Sequence, residues 1–347
     1  MGLAKDIKQR AIELGFDLVG ITDASPIDAR HVKRLADWLK AGSAGQMKYM
    51  HRNFEKRINP AKLLENAQSV IVVGLNYKPP KRPAAEQTGR IANYAQYEDY
   101  HLFIKKLLRQ LTNFISSIAG AGFEFKICVD SAPLAERALA ERAGLGFIGK
   151  NHTLINPTLG PQILLGEIIT TLKLPTDKPI SCHSEPFALL KDKFREESLK
   201  SANQTLRFAQ GDSFGCSNCD KCITACPTGA LRPDGRFDAN KCISYLTIEH
   251  KGQIPPELAG KVGNRLFGCD ECVLACPYQK DAPVCKNRQF KFYKDRNSIS
   301  LRDVLNLSDD DFGKMFSDSP IKRSGLEHLK RNARICLANI APHPVYQ

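Results

Sequence analysis

The chain has 347 residues, is 42% hydrophobic and 25% charged, and carries a formal net charge of +13. That length accommodates a sizeable core and two domains, and the composition is that of a soluble globular protein. No apolar run approaches the roughly 20 residues of a membrane span. The N-terminus has neither the apolar core and cleavage site of an export signal nor a twin-arginine, so a cytoplasmic location is expected.

In chain order, residues 1–22 read as an amphipathic helix running into a short strand. The stretches AQSVIVVGLNY (67–77) and FEFKICVD (123–130) have the apolar density of buried strands, and QILLGEIITTLKL (162–174) reads as a last one. Between them, residues 98–119 and 133–143 show helical apolar spacing. This alternation predicts an α/β or α+β domain. Residues 176–214 are polar and without sustained periodicity, which suggests a surface insertion or linker. Residues 300–316 and 324–341 read as helices of a C-terminal tail.

The run GLGFIG, with Gly144, Gly146 and Gly149, matches G-x-G-x-x-G but follows a helix rather than a strand. A dinucleotide site needs the strand, so these glycines are expected to end the helix and turn the chain. Asp130 closes the strand FEFKICV and precedes a helix with Pro133 in its first turn. It reads either as a helix cap, with Ser131, or as a general acid kept protonated by apolar surroundings.

Eight of the twelve cysteines lie between 216 and 276. Cys216, Cys219, Cys222 and Cys226 form C-x2-C-x2-C-x3-C followed by Pro227, the spacing of two-cluster ferredoxins. In that pattern the fourth thiolate ligates the other cluster. Cys269, Cys272 and Cys276 precede Pro277 as the second half, with Cys242 as its missing ligand. The expected sets are Cys216, Cys219, Cys222 and Cys276 for one [4Fe–4S] cluster, and Cys226, Cys242, Cys269 and Cys272 for the other. Paired C-x2-C spacing also builds zinc sites, but two C-x3-C-P endings and eight ligands fit two iron–sulfur clusters better. Cys128, Cys182, Cys285 and Cys336 are expected to be ordinary thiols. Fifty Lys and Arg against 37 Asp and Glu, dense at 285–296 and 320–334, suit an anionic partner such as nucleic acid.

These stretches together resemble one family. VDSAPLAERALAERAGLGFIGKNHTLINPTLGPQILLGEIITTL, CSNCDKCITACPTGAL, KCISYLTIEHKG, GNRLFGCDECVLACPYQ and SPIKRSGLEHLKRNARI are similar to the epoxyqueuosine reductases, cobalamin-dependent iron–sulfur enzymes of queuosine synthesis in tRNA. The related corrinoid reductive dehalogenases usually carry a twin-arginine signal, which is absent here. The resemblance implies an α+β protein. Its expected parts are an α/β corrin-binding domain over 1–175 resembling the dehalogenase core, the insertion at 176–214, a ferredoxin-like module over 215–285 and a helical segment over 286–347.

The resemblance also implies reduction of epoxyqueuosine at the wobble position, with cob(I)alamin fed by the clusters and Asp130 as proton donor. Corrin contacts carry over onto Arg57, Asp130, Leu154, Leu165, Ser244, Asp270 and Glu271, and a tRNA contact onto Lys251. For Leu154 and Leu165 core packing is the competing reading. A monomer served by a low-potential electron donor is expected. Two features depart from the family: the stretch around 180–214 is longer than usual, and longer members continue into helical repeats, so tRNA affinity from that region is expected to be reduced. The competing functions are a corrinoid reductase of a small molecule and an electron-transfer protein.

Overall fold

A computed structural model describes residues 2–81, 88–120, 122–180 and 215–340. Most of the polar stretch at 176–214, including Cys182, lies outside the described residues. The strands in chain order are β1 (Leu18–Asp23), β2 (Ser69–Asn76), β3 (Thr88–Ile91), β4 (Phe125–Cys128), β5 (Phe147–Ile148), β6 (Leu154–Ile155), β7 (Ile163–Thr170), β8 (Arg265–Phe267) and β9 (Ser298–Ser300).

The main sheet has the order β1-β2-β7-β4, with every neighbouring pair antiparallel. A row of isoleucines crosses all four strands: Ile21 opposes Ile71, Ile71 opposes Ile168, and Ile168 opposes Ile127. Such β-branched neighbours fit the half-pleated surface and fix the register. One face packs on helices Leu3–Glu13 and Tyr100–Ala119 through Ile7, Leu107, Leu111 and Ile115. The other packs on helix Glu136–Arg142 through Leu139, with Val70, Val72, Leu165 and Ile169 beneath it. Each such side chain, once buried, contributes on the order of 1.5–3 kcal/mol.

The alternating pattern admitted either an α/β or an α+β arrangement for residues 1–175. Antiparallel pairing selects α+β and corrects the α/β expectation for this domain. A parallel sheet needs crossover helices between adjacent strands, whereas β1, β2 and β7 return alongside one another in opposite directions.

Helix Tyr100–Ala119 starts at Asp99, whose side chain accepts the His101 N–H at 2.9 Å. Its apolar stripe reaches β7 closely because Gly166 lacks a side chain: a Cβ there would lie 2.7 Å from Ile104 Cγ2. The glycine run at 144–149 does what its context suggested. Gly144 ends helix Glu136–Arg142 at φ +77°, and Gly146 lets the chain pass against the Ile155 carbonyl in the β5–β6 hairpin.

A second sheet, β8-β3-β9, pairs β3 in parallel with β8 and antiparallel with β9. It therefore joins residues 88–91 to segments more than 170 positions further along the chain. Helix Leu326–Ile340 covers it, and Leu266, Phe267, Phe316 and Leu329 are fully buried there. The tail is helical as expected, over Leu301–Asn306, Asp309–Met315 and Leu326–Ile340.

Candidate active site and cluster-binding thiols

The chain leaves β4 at Cys128 and reaches Asp130 in the left-handed region, φ +52°. The following helix starts only at Glu136, with Ala135 at its N-cap, so Asp130 is not a helix cap. Its side chain is 56% exposed. His101 approaches it from the first turn of helix Tyr100–Ala119, with Nε2 at 2.9 Å from Asp130 Oδ2 and Nδ1 at 2.7 Å from Asp99 Oδ1. The Tyr100 phenol also interacts with Asp130.

An imidazole gripped by two carboxylates at both ring nitrogens is an imidazolium. Burial opposes the charge, but the bonds to Asp130 and Asp99 outweigh it and raise His101 to about 9. Burial alone would raise Asp130, yet His101, Tyr100 and the charge of Arg323 hold it below the ordinary carboxylate range. The expectation of a carboxyl kept protonated by apolar surroundings is thereby corrected. Free of substrate, the pair keeps its proton on His101, and Asp130 is the acceptor through which that proton can leave.

The sign of the pH dependence follows. His101 is raised above its unfolded value of about 6.5, so its contribution to stability is complete below that value and lost as pH rises through about 9. The thermal midpoint of wild type should exceed that of His101→Gln at pH 6–7, and the gap should close above pH 9. A gap unchanged across that range would dispose of the imidazolium assignment.

Arg57 sits on the short helix Phe54–Ile58, where its carbonyl accepts Ala135 N–H at 3.1 Å and so ties this helix to the segment after Asp130. Its Nε is buried without a hydrogen-bond partner among the described residues. Tyr49 interacts electrostatically with Glu249, Arg323, Asp130 and Arg57, and Tyr94 with Asp130, Asp270, Arg323 and Glu249. Asp130 is thus the common neighbour of Arg57, Tyr49, Tyr94 and Arg323, and the surface around its exposed carboxyl is the candidate mouth of the site. Asp270 accepts the Asn93 N–H at 2.6 Å, and burial pushes its carboxyl up to about 6. Glu271 is held by Arg90 at 3.0 Å and Arg265 at 2.8 Å. Ser244 is half-buried in the turn after Cys242, and its N–H points to that thiol.

Leu154 and Leu165 do not join this mouth. They are 3% and 8% exposed in the core between the main sheet and helix Glu136–Arg142, where the competing reading placed them. Lys251 is exposed; its backbone is held by Gln46, which donates to its carbonyl at 3.2 Å and accepts its N–H at 2.7 Å.

The eight cysteines gather into two groups. Cys216, Cys219, Cys222 and Cys276 line one cavity, closed by Lys150, Asn151, Pro277 and Tyr278. Lys150 N–H donates to Cys216 Sγ at 3.3 Å, and its Nζ reaches the carbonyls of Ser217 and Cys219 at 2.8 and 2.9 Å. In the other set, Cys272 interacts with Cys242, Cys269 and Cys226. Burial is the largest influence on Cys222, Cys242, Cys269, Cys272 and Cys276 and disfavours their ionisation, raising Cys269 and Cys276 to about 11, whereas for Cys226 hydrogen bonds from Leu231, Thr228 and Ala230 outweigh burial and lower it. Four thiolates in such a space need a cationic centre among them, which an iron–sulfur core supplies. Among the described residues, no three His, Cys, Asp or Glu converge on a single metal ion. Cys128, Cys285 and Cys336 stand apart as free thiols.

Sequence reasoning missed Asp99, His101, Tyr94, Arg323 and a pair of glutamates, Glu136 and Glu167. Two signals were available: the Asp-x-His spacing at 99–101, and a glutamate in the otherwise apolar strand ILLGEIIT.

Comparison with known proteins agrees with this geometry. A family profile described as "Epoxyqueuosine reductase QueG, DUF1730" matches residues 57–131, and one described as "4Fe-4S double cluster binding domain" matches residues 215–279. The epoxyqueuosine reductase of Pseudomonas aeruginosa is 35% identical over 97% of this chain and 85% of its own length. That of Vibrio cholerae is 36% identical over 98% and 84%. A crystal structure of epoxyqueuosine reductase with an epoxyqueuosine-modified tRNA-Tyr stem loop superposes with a TM-score of 0.82 at 29% identity, covering 97% of this chain and 81% of the other. The chain belongs to the epoxyqueuosine reductase family.

Proposed function

We propose that this protein reduces epoxyqueuosine to queuosine at the wobble position of tRNA, with Asp130 delivering the proton to the epoxide oxygen. The observation that carries this reading is the His101–Asp130 pair, whose carboxyl stands exposed at a mouth bordered by Arg57, Tyr94 and Asp270. Removal of the oxygen as water takes two electrons and two protons. His101 holds a proton at Nε2, 2.9 Å from Asp130 Oδ2, so it can pass to the carboxylate as charge develops on the oxygen. Tyr100 and Asp99 hold the two partners in line while this happens.

The residues at the mouth fit a large amide-fringed ligand: Arg57 offers an unclaimed N–H, and Asp130, Ser244, Asp270 and Glu271 stand partly open beside it. Cobalamin bound there would supply a strongly reducing centre, and the clusters would supply electrons one at a time. Leu154 and Leu165 would support the site only from within the core. Tyr77 and Asp270 each interact with both Cys272 and Tyr94, which supports a place for the Cys226–Cys242–Cys269–Cys272 set next to the mouth. The other set, lined by Lys150 and Tyr278, would take electrons from an external low-potential donor.

The tRNA reading accounts for the +13 charge. The base must be turned out of the anticodon stack at a cost of a few kcal/mol, which Lys and Arg contacts to phosphate can offset. Among the described residues, no helix is long and apolar enough to cross a membrane. The test is anaerobic incubation of epoxyqueuosine-containing tRNA with the loaded protein and a strong reductant, followed by mass spectrometry of the nucleosides. Cobalamin-dependent loss of one oxygen is expected, with binding that weakens steeply as salt rises. No conversion by fully loaded protein would turn the assignment towards a small-molecule corrinoid reductase.

A further inference from the structure

Glu167 is the unexplained group in this molecule. It lies in β7 opposite Val72 and Cys128, on the face that packs against Leu134, Leu139 and Ile169, and it is 0% exposed. No donor among the described residues reaches either carboxylate oxygen. A carboxylate left so would be expelled or neutralised. What it does have is the carboxyl of Glu136 beside it, at the start of the helix packed on this face. Glu136 Oε1 accepts the backbone N–H of Asp130 at 2.5 Å. Asp130 itself sits at φ +52°, a conformation disfavoured for a residue with a side chain unless its surroundings hold it there.

We propose that Glu167 is a proton-bearing positioning residue: its neutral carboxyl donates to the carboxylate of Glu136, which in turn holds the Asp130 N–H and keeps Asp130 aimed at its substrate. This rests on the reading of Asp130 as proton donor. Two adjacent carboxyls in an apolar pocket keep one proton between them, and the deeper of the two is Glu167. Burial, and then Glu136, push Glu167 well above the ordinary range, while Glu136, raised by burial and by the charge of Asp130, stands lower at about 7. Arg137, Arg57, Tyr100 and Cys128 also face the pair; Arg137 favours the charge on Glu136, as the arrangement needs. Without the Glu167 proton, Glu136 loses that donor from the sheet side and the loop loses its fixed anchor.

Glu167→Gln keeps a donor directed at Glu136, whereas Glu167→Leu fills the same space without one. Replacing a buried carboxyl by leucine leaves the core at least as well packed, so a merely structural role predicts no loss from it. Hydrogen exchange at the Asp130 amide, read by mass spectrometry on the loaded protein without substrate, separates the two. In Glu167→Leu exchange should accelerate about tenfold or more and kcat should fall by about 10- to 100-fold with little change in KM. Glu167→Gln should match wild type in both. Unchanged exchange in Glu167→Leu, or equal damage in both variants, would overturn the proposal. Because exchange is read without tRNA, failure of the substrate assignment leaves that result standing.

Discussion

Asp130→Asn is expected to lower the single-turnover rate of epoxyqueuosine reduction by about 10²- to 10⁴-fold, the range for loss of a positioned general acid. Iron content and cobalamin binding should stay at wild-type levels. The reasoning is local. Asparagine tolerates φ +52° better than other side chains, so the turn after β4 survives. Its amide oxygen can still accept from His101 Nε2, which preserves the geometry at 2.9 Å. What disappears is the acidic proton that Asp130 relays. The imidazolium also loses one of the two carboxylates that raise it to about 9, so it should titrate nearer its ordinary value. The loss therefore falls on the proton transfer, not on assembly. A variant that turns over as fast as wild type would mean that His101 or solvent protonates the oxygen directly.

How much of this was legible in the sequence depends on how local each feature is. The grouping of the cysteines was readable because short loops fix the spacing of C-x2-C-x2-C, and the C-x3-C-P endings suggest which thiols cross. Strands such as 69–76 were readable because all eight of their residues are buried, leaving a continuous apolar run. The His101–Asp130 pair was not, since 29 residues separate its members and only packing of helix Tyr100–Ala119 on β7 brings them together. Nor was the state of Asp130: the apolar run before it suggested a neutral acid, but a cationic neighbour outweighs burial. Strand direction was equally hidden, because hydrophobic periodicity is the same for parallel and antiparallel pairing. The sharing of one sheet among residues 88–91, 265–267 and 298–300 leaves no trace in any one segment. Family correspondence suggested corrin contacts for Leu154 and Leu165, and their side chains are buried in the core between the main sheet and helix Glu136–Arg142.

The crossing of the cluster ligands yields the sharpest test of the electron path. Cys276 lies four residues from Cys272 but lines the cavity of Cys216, Cys219 and Cys222, while Cys226 interacts with Cys242 and Cys272. If each set is a step on the proposed electron path, loss of any one of these cysteines should abolish turnover with an external reductant. The pattern of double variants reports the pairing. Cys226→Ala combined with Cys242→Ala strikes one set only, so about four of the eight irons and one reduced [4Fe–4S] signal in electron paramagnetic resonance should remain. Cys226→Ala combined with Cys276→Ala strikes both, and neither signal should remain intact. If ligation followed the order of the chain instead, with Cys226 joining Cys216, Cys219 and Cys222, the first double variant would already lose both signals. A surviving cluster in it is therefore the outcome that the folded arrangement demands.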